Sequence, residues 1–185
     1  MELTQLWLPI LLSSVFVFLA SSIMWMALPH DKADIKVLPD EKALTEPLAK
    51  LDLPPGTYMW PNCQSGESQS SPEFKARMDA GPWGSINILG CKPNFGAHLG
   101  LVFVFYIVVS VCVAYITSQA RAAGASCESV FWVVGPTAIL AYCAGGIPGA
   151  FFMGKPKRFM LTDFIDGVVY GLITAATFGW LWPAA

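Results

Sequence analysis

The chain has 185 residues, of which 55% are hydrophobic and only 13% are Asp, Glu, Lys or Arg. Soluble domains carry about 25% charged residues, so this composition excludes an ordinary soluble globular protein and indicates a membrane protein. A formal net charge of −2 offers a phosphate backbone no attraction, which argues against a nucleic-acid partner.

Four apolar runs each approach the roughly 20 residues that cross a hydrocarbon core: Leu6–Leu28, Leu99–Gln119, Glu128–Pro148 and Thr162–Leu181. The first has Glu2 and no basic residue at its head and no small-x-small cleavage site behind it, so it reads as a retained anchor, not a secretory signal. The expected fold is an all-α membrane protein: four transmembrane helices with a small α+β cytoplasmic insertion between helices one and two. The divisions are 1–29 for the first helix, 30–97 for the insertion and 98–185 for the other three.

Orientation follows from the basic residues. Of the 11 Lys and Arg, Lys32, Lys36, Lys42, Lys50, Lys75, Arg77 and Lys92 lie in the insertion, and Lys155, Lys157 and Arg158 lie between helices three and four. Arg121 stands alone on the opposite side. Positive-inside then places both loops in the cytoplasm and both termini outside. Trp7, Trp132, Trp180 and Trp182 fall at outer helix ends and Trp25 at an inner one, the pattern of an interfacial belt.

Along the insertion, Pro39-Asp40-Glu41 opens a short amphipathic helix with Leu44, Leu48 and Leu51 on one face, limited by Pro47. Thr57–Trp60 and Trp83–Leu89 read as two short strands. Between them, Ser71-Pro72-Glu73 starts a helix with a capping hydroxyl, proline at the first helical position and an acid at the positive dipole end. The insertion is small for a self-sufficient core.

The membrane runs carry small residues at four-residue spacing: Gly167, Gly171, Ala175 and Gly179 in the last, Ser110, Ala114 and Ser118 in the second, and Ala141, Gly145 and Gly149 in the third. Such strips let another backbone approach closely, so these are expected helix-packing positions.

In the last run Asp166, Tyr170, Thr174 and Thr177 form a polar row beside the strip, and Asp163 extends the strip itself. A carboxylate within a span often marks an ion or proton path, which makes Asp163, Asp166, Tyr170 and Thr174 candidate pathway residues. The competing reading places both aspartates at a helix start behind Thr162, paired with Lys155, Lys157 or Arg158. No second intramembrane charge continues a relay, which favours the helix-start reading. Lys155, Lys157 and Arg158 are also candidate headgroup contacts, at about 1 kcal/mol per charge near an acidic surface.

His30 and His98, the two histidines, flank the insertion and could share a metal or haem, with Cys63 and Cys91 completing a Cys₂His₂ set. No CxxC or HxxxH spacing supports this, and free thiols are the expectation in a reducing cytoplasm. The sequence contains no phosphate-binding loop, dinucleotide fingerprint, nucleophile elbow or HExxH motif, and no residue is assigned a catalytic role.

The stretches MELTQLWLPILLSS, PPGTYMWP, SPEFKARMDAGPWG and DGVVYGLITAATFGWLWP resemble a group of small, uncharacterised bacterial multi-pass membrane proteins. The resemblance implies a bacterial cytoplasmic (inner) membrane location and no activity.

From these residues the expected function is an accessory, scaffold or assembly subunit in the lipid bilayer, packing against partner membrane subunits or itself. A small transporter or channel using the Asp166 row is the alternative, and a metal- or haem-binding membrane protein a third.

Overall fold

A computed structural model describes residues 2–27, 34–63, 66 and 68–185. His30 and Lys32 lie outside the described residues. The chain divides into two compact units, one formed by Met1–Lys36 with Phe95–Ala185 and the other by Val37–Asn94.

The first unit is a helical bundle. A 3₁₀ turn, Leu3–Leu6, leads into α1 (Trp7–Met26). The bundle's later helices are α4 (Phe95–Ala120), α5 (Cys127–Cys143), the short α6 (Ile147–Phe152) and α7 (Lys157–Trp180). Four helical stretches among the described residues are long and apolar enough to cross a membrane: Leu3–Met26, Phe95–Ala120, Cys127–Phe152 and Lys157–Trp180. Each corresponds to one apolar run of the sequence.

Helices α1 and α4 pack together, α7 packs on α1, and the most extensive contact joins α7 to α5. The apolar core consists of Leu6, Val109, Val113, Ala114, Val130, Val134, Ala138, Ala175 and Phe178. Hydroxyls on buried faces are mostly satisfied by their own helix: Thr117 Oγ1 donates to Val113 O at 2.8 Å, and Thr177 Oγ1 to Ile173 O at 2.8 Å. Between helices, Ser14 Oγ donates to Ser110 Oγ at 3.2 Å, and Ser13 and Ser110 lie 3.0 Å apart. The C-terminal end is tied to the α4–α5 turn, with Trp182 Nε1 donating to Ala122 O at 2.9 Å and Gly124 N to Pro183 O at 2.9 Å.

The start of α7 differs from the sequence expectation. The helix begins at Lys157, not at Thr162, and no acid lies in its first turn. Pro156 adopts the extended conformation that precedes a helix, and Thr162 Oγ1 bonds back to Arg158 O at 3.1 Å as an interior residue, leaving it no capping role. Asp163 and Asp166 therefore sit in the second and third turns. About 14 Å of helix separates Asp166 from the α7 start at 1.5 Å per residue, too far for the first-turn dipole effect to account for it.

The second unit contains α2 (Glu41–Lys50), β1 (Gly56–Trp60), α3 (Pro72–Ala80) and β2 (Gly84–Ile88). The strands pair antiparallel, with Tyr58 opposite Ile86. Asp40 caps α2 by accepting from Lys42 N at 2.9 Å and Ala43 N at 3.2 Å, and Ser71 caps α3 by accepting from Phe74 N at 3.1 Å. Helix α2 continues three residues past Pro47. No described residue of this unit is buried.

Candidate functional site

The packing of α7 on α5 creates the floor of the site. A Cβ added at Gly167 would lie 2.6 Å from Cys143 Sγ, one at Gly171 2.9 Å from Ile139 N, and one at Gly179 2.8 Å from Cys127 Sγ. Gly135 faces Ala175 at the same seam. The strip Gly167, Gly171, Ala175 and Gly179 thus has its partner inside the chain, where two backbones meet almost without side chains between them. Ser110 and Ala114 on α4 are also fully buried and Ser118 is nearly so. Ala141, Gly145 and Gly149 behave differently: all three are exposed, and a Cβ at Gly145 or Gly149 would touch nothing.

Because α7 lies so close to α5, the residues on either side of its strip face into the bundle. Asp166 is only 3% exposed, whereas Asp163, one turn earlier, is exposed. Both line a cavity of about 290 Å³ at one end of the bundle. Its walls include Trp25 of α1, Phe105 and Tyr106 of α4, Tyr142 of α5, and Phe164 and Tyr170 of α7. Gly146, Ile147 and Ala150, at and just before α6, complete the rim.

Three tyrosine rings from three helices meet at the inner end. Centroids are 6.0 Å apart for Tyr106–Tyr170, 6.0 Å for Tyr106–Tyr142 and 5.9 Å for Tyr142–Tyr170, all edge to face. Such pairs lock ring orientation through the aromatic quadrupole. The Tyr106 side chain faces Ser21 and lies within electrostatic reach of Asp166, and the Tyr142 side chain faces Thr174 and Ser110. Thr174 is fully buried, its hydroxyl donating to Tyr170 O at 2.9 Å. A polar file therefore runs from Asp163 at the rim through Asp166 and the tyrosines to Thr174 and Ser110. It ends against the apolar core of Val113, Val134 and Phe178.

Of the candidate pathway residues, Asp163, Asp166 and Tyr170 line one cavity and Thr174 lies behind it. The sequence reading gave no site role to its other wall, Trp25, Phe105, Tyr106 and Tyr142. A signal was present: four of the 5 tyrosines lie inside apolar runs, whereas this amphipathic ring prefers the interface. The basic loop is engaged at the surface, with Arg158 Nε 3.4 Å from Asp34 Oδ1 and Lys155 Nζ 4.4 Å from the Phe159 ring centroid.

The metal candidates do not assemble into a described site. His30 is outside the described residues, Cys63 and Cys91 are free thiols, and no group of three metal-ligating side chains occurs among the described residues.

The fold and site define a class: a four-helix bundle enclosing an aromatic-walled carboxylate cavity at one end. The chain matches no family model, no curated protein and no solved structure, so its resemblance to small bacterial membrane proteins carries no family assignment.

Proposed function

We propose that the protein is a multi-pass bacterial cytoplasmic-membrane protein that takes up a small cation in the Asp166 cavity and passes it across the bilayer as a small transporter. The observation carrying this reading is a carboxylate 3% exposed on the wall of a cavity, within a helix of spanning length. A charged side chain at membrane depth costs about 2.5–3.5 kcal/mol on insertion scales, and such groups typically serve ion or proton paths. The apolar core beyond the tyrosines favours a transporter that rearranges over an open channel. The distribution of Lys and Arg supports a cytoplasmic insertion and KPKR loop with both termini outside, which puts the cavity at the cytoplasmic face.

Flux in reconstituted vesicles tests this reading. Asp166→Asn is expected to abolish cation flux while leaving thermal unfolding in detergent unchanged. Equal flux in the variant, or no flux in the parent protein, would overturn it.

A second reading, an accessory subunit docking against another membrane protein, draws on the exposed small positions Ala141, Gly145 and Gly149. It predicts a stoichiometric partner after purification in mild detergent, and a lone monomer counts against it.

A further inference from the structure

Resting only on the membrane-spanning part of the reading above, we propose that one hydrocarbon chain of a bilayer phospholipid is seated in the groove between α1 and α4. The groove consists of two adjoining cavities in the bundle. One, of about 460 Å³, has Ser21, Ser22, Trp25 and Met26 of α1 and Phe95 and His98 of α4 among its walls. The other, of about 380 Å³, is lined by Val15, Phe18, Leu19, Leu99, Gly100 and Phe103. Phe18 and Leu99 line both, so one cavity continues the other along the same pair of helices.

Length and polarity both match a lipid chain. From Met26 to Val15 the groove follows α1 for eleven residue steps, about 17 Å at 1.5 Å per residue. That is roughly half of a ~30 Å hydrocarbon core, the depth of one leaflet. His98, exposed in the first turn of α4, stands at the end of the span, whereas the inner cavity has only apolar side chains and a glycine. A bilayer lipid has the same order, polar at the surface and hydrocarbon below. The hydroxyls between these ends seek no guest: Ser21 Oγ donates to Phe18 O at 2.9 Å and Ser22 Oγ to the same carbonyl at 2.8 Å.

Gly100 leaves the groove open where a side chain would fill it, since a Cβ added there would meet nothing within 4 Å. Phe18 and Phe103 close over its inner part, edge to face at 5.4 Å. A chain lying there touches two helices at once. In lipid no apolar surface is withdrawn from water, so such dispersion contacts are what retain a chain. Both helices belong to stretches of spanning length, Leu3–Met26 and Phe95–Ala120. The groove is therefore continuous with the bundle's lipid-facing surface, which makes a bilayer lipid its occupant. Trp25, Val102 and Tyr106 line both the groove and the Asp166 cavity, so the seated chain also backs one wall of that cavity.

Native mass spectrometry of the full-length protein released from palmitoyl-oleoyl phosphatidylglycerol nanodiscs tests the assignment. The parent protein is expected to carry one phospholipid per chain. Gly100→Phe puts a ring into the open stretch, and Leu19→Trp narrows the groove from α1. Each should lower lipid retention at least about fivefold. Gly145→Phe, at another glycine with open space around its Cβ but outside the groove, should retain lipid as the parent does. Thermal unfolding in detergent identifies any variant that has lost its fold, and Gly100→Phe is expected to melt no lower than the parent. No retained phospholipid on the parent, or parent-like retention in both groove variants, would overturn the proposal. So would a retained second copy of the chain that Gly100→Phe releases, because a protein helix would then fill the groove. Retained lipid without Asp166-dependent flux would keep the lipid site and sink the transporter reading, and flux without retained lipid would do the reverse. A chain that does not enter nanodiscs would remove the membrane reading on which both rest.

Discussion

The two units of this chain reach their structures by different routes. In the bundle, Val113, Val134, Ala175 and Phe178 are essentially inaccessible, and glycines bring two helix backbones together. In the insertion no described residue is buried, and Leu44 of α2 and Leu51 just after it remain exposed. Its order rests on local devices: the Asp40 and Ser71 caps, the β1–β2 ladder, and Trp60 lying over Gly84, where an added Cβ would come within 2.9 Å of the indole Cε2. A cavity that holds a charge needs rigid walls, and only the bundle supplies them.

Perturbing the α5–α7 seam is expected to have the largest effect. Gly171→Ala places a methyl group 2.9 Å from Ile139 N and 3.1 Å from its Cα, and backbone cannot yield as a flexible side chain does. We expect a loss of about 1–3 kcal/mol in detergent unfolding, with cation flux falling in step. Gly145→Ala, with nothing near its Cβ, should be neutral in the same assay. A Gly171→Ala protein as stable as the parent would mean that the seam is loose.

Amide hydrogen exchange should separate the units next. The α5 and α7 amides are expected to open only with global unfolding, whereas β1 and β2 open locally and exchange far faster. Equal protection in the two regions would show that the insertion has a stabilising surround its own residues do not reveal. Losing the α3 cap in Ser71→Ala should cost about 1 kcal/mol, visible as faster exchange near Phe74 with no change in bundle melting. Smallest of all, Leu44→Ser on the exposed face of α2 should change stability by less than about 0.5 kcal/mol. A larger loss there would mean that the face is covered.

How much of this was legible in the sequence depended on whether the signal was local. The four long helices follow from apolar runs of sufficient length, and the strand pair from two short β-rich runs bounded by turns. The α7 start was not legible, because Lys157 and Arg158 sit badly at a positive dipole end and Thr162 looks the better cap. That five-residue difference is what moves Asp166 from a helix start into the bundle. The polar row of α7 could be read from its own periodicity. Its partners could not: Tyr106 and Tyr142 belong to other helices, and only the helix packing brings them within 6.0 Å ring distances of Tyr170 and each other.

The central claim is that the Asp166 carboxylate, inside the tyrosine cavity, meets a cation. Difference infrared spectroscopy reads that carboxylate directly. Adding the cation that gives Asp166-dependent flux to the nanodisc-embedded protein should perturb a carboxylate stretching band that persists in Asp163→Asn and vanishes in Asp166→Asn. A difference spectrum that is flat, or identical in the parent and in Asp166→Asn, would contradict the account.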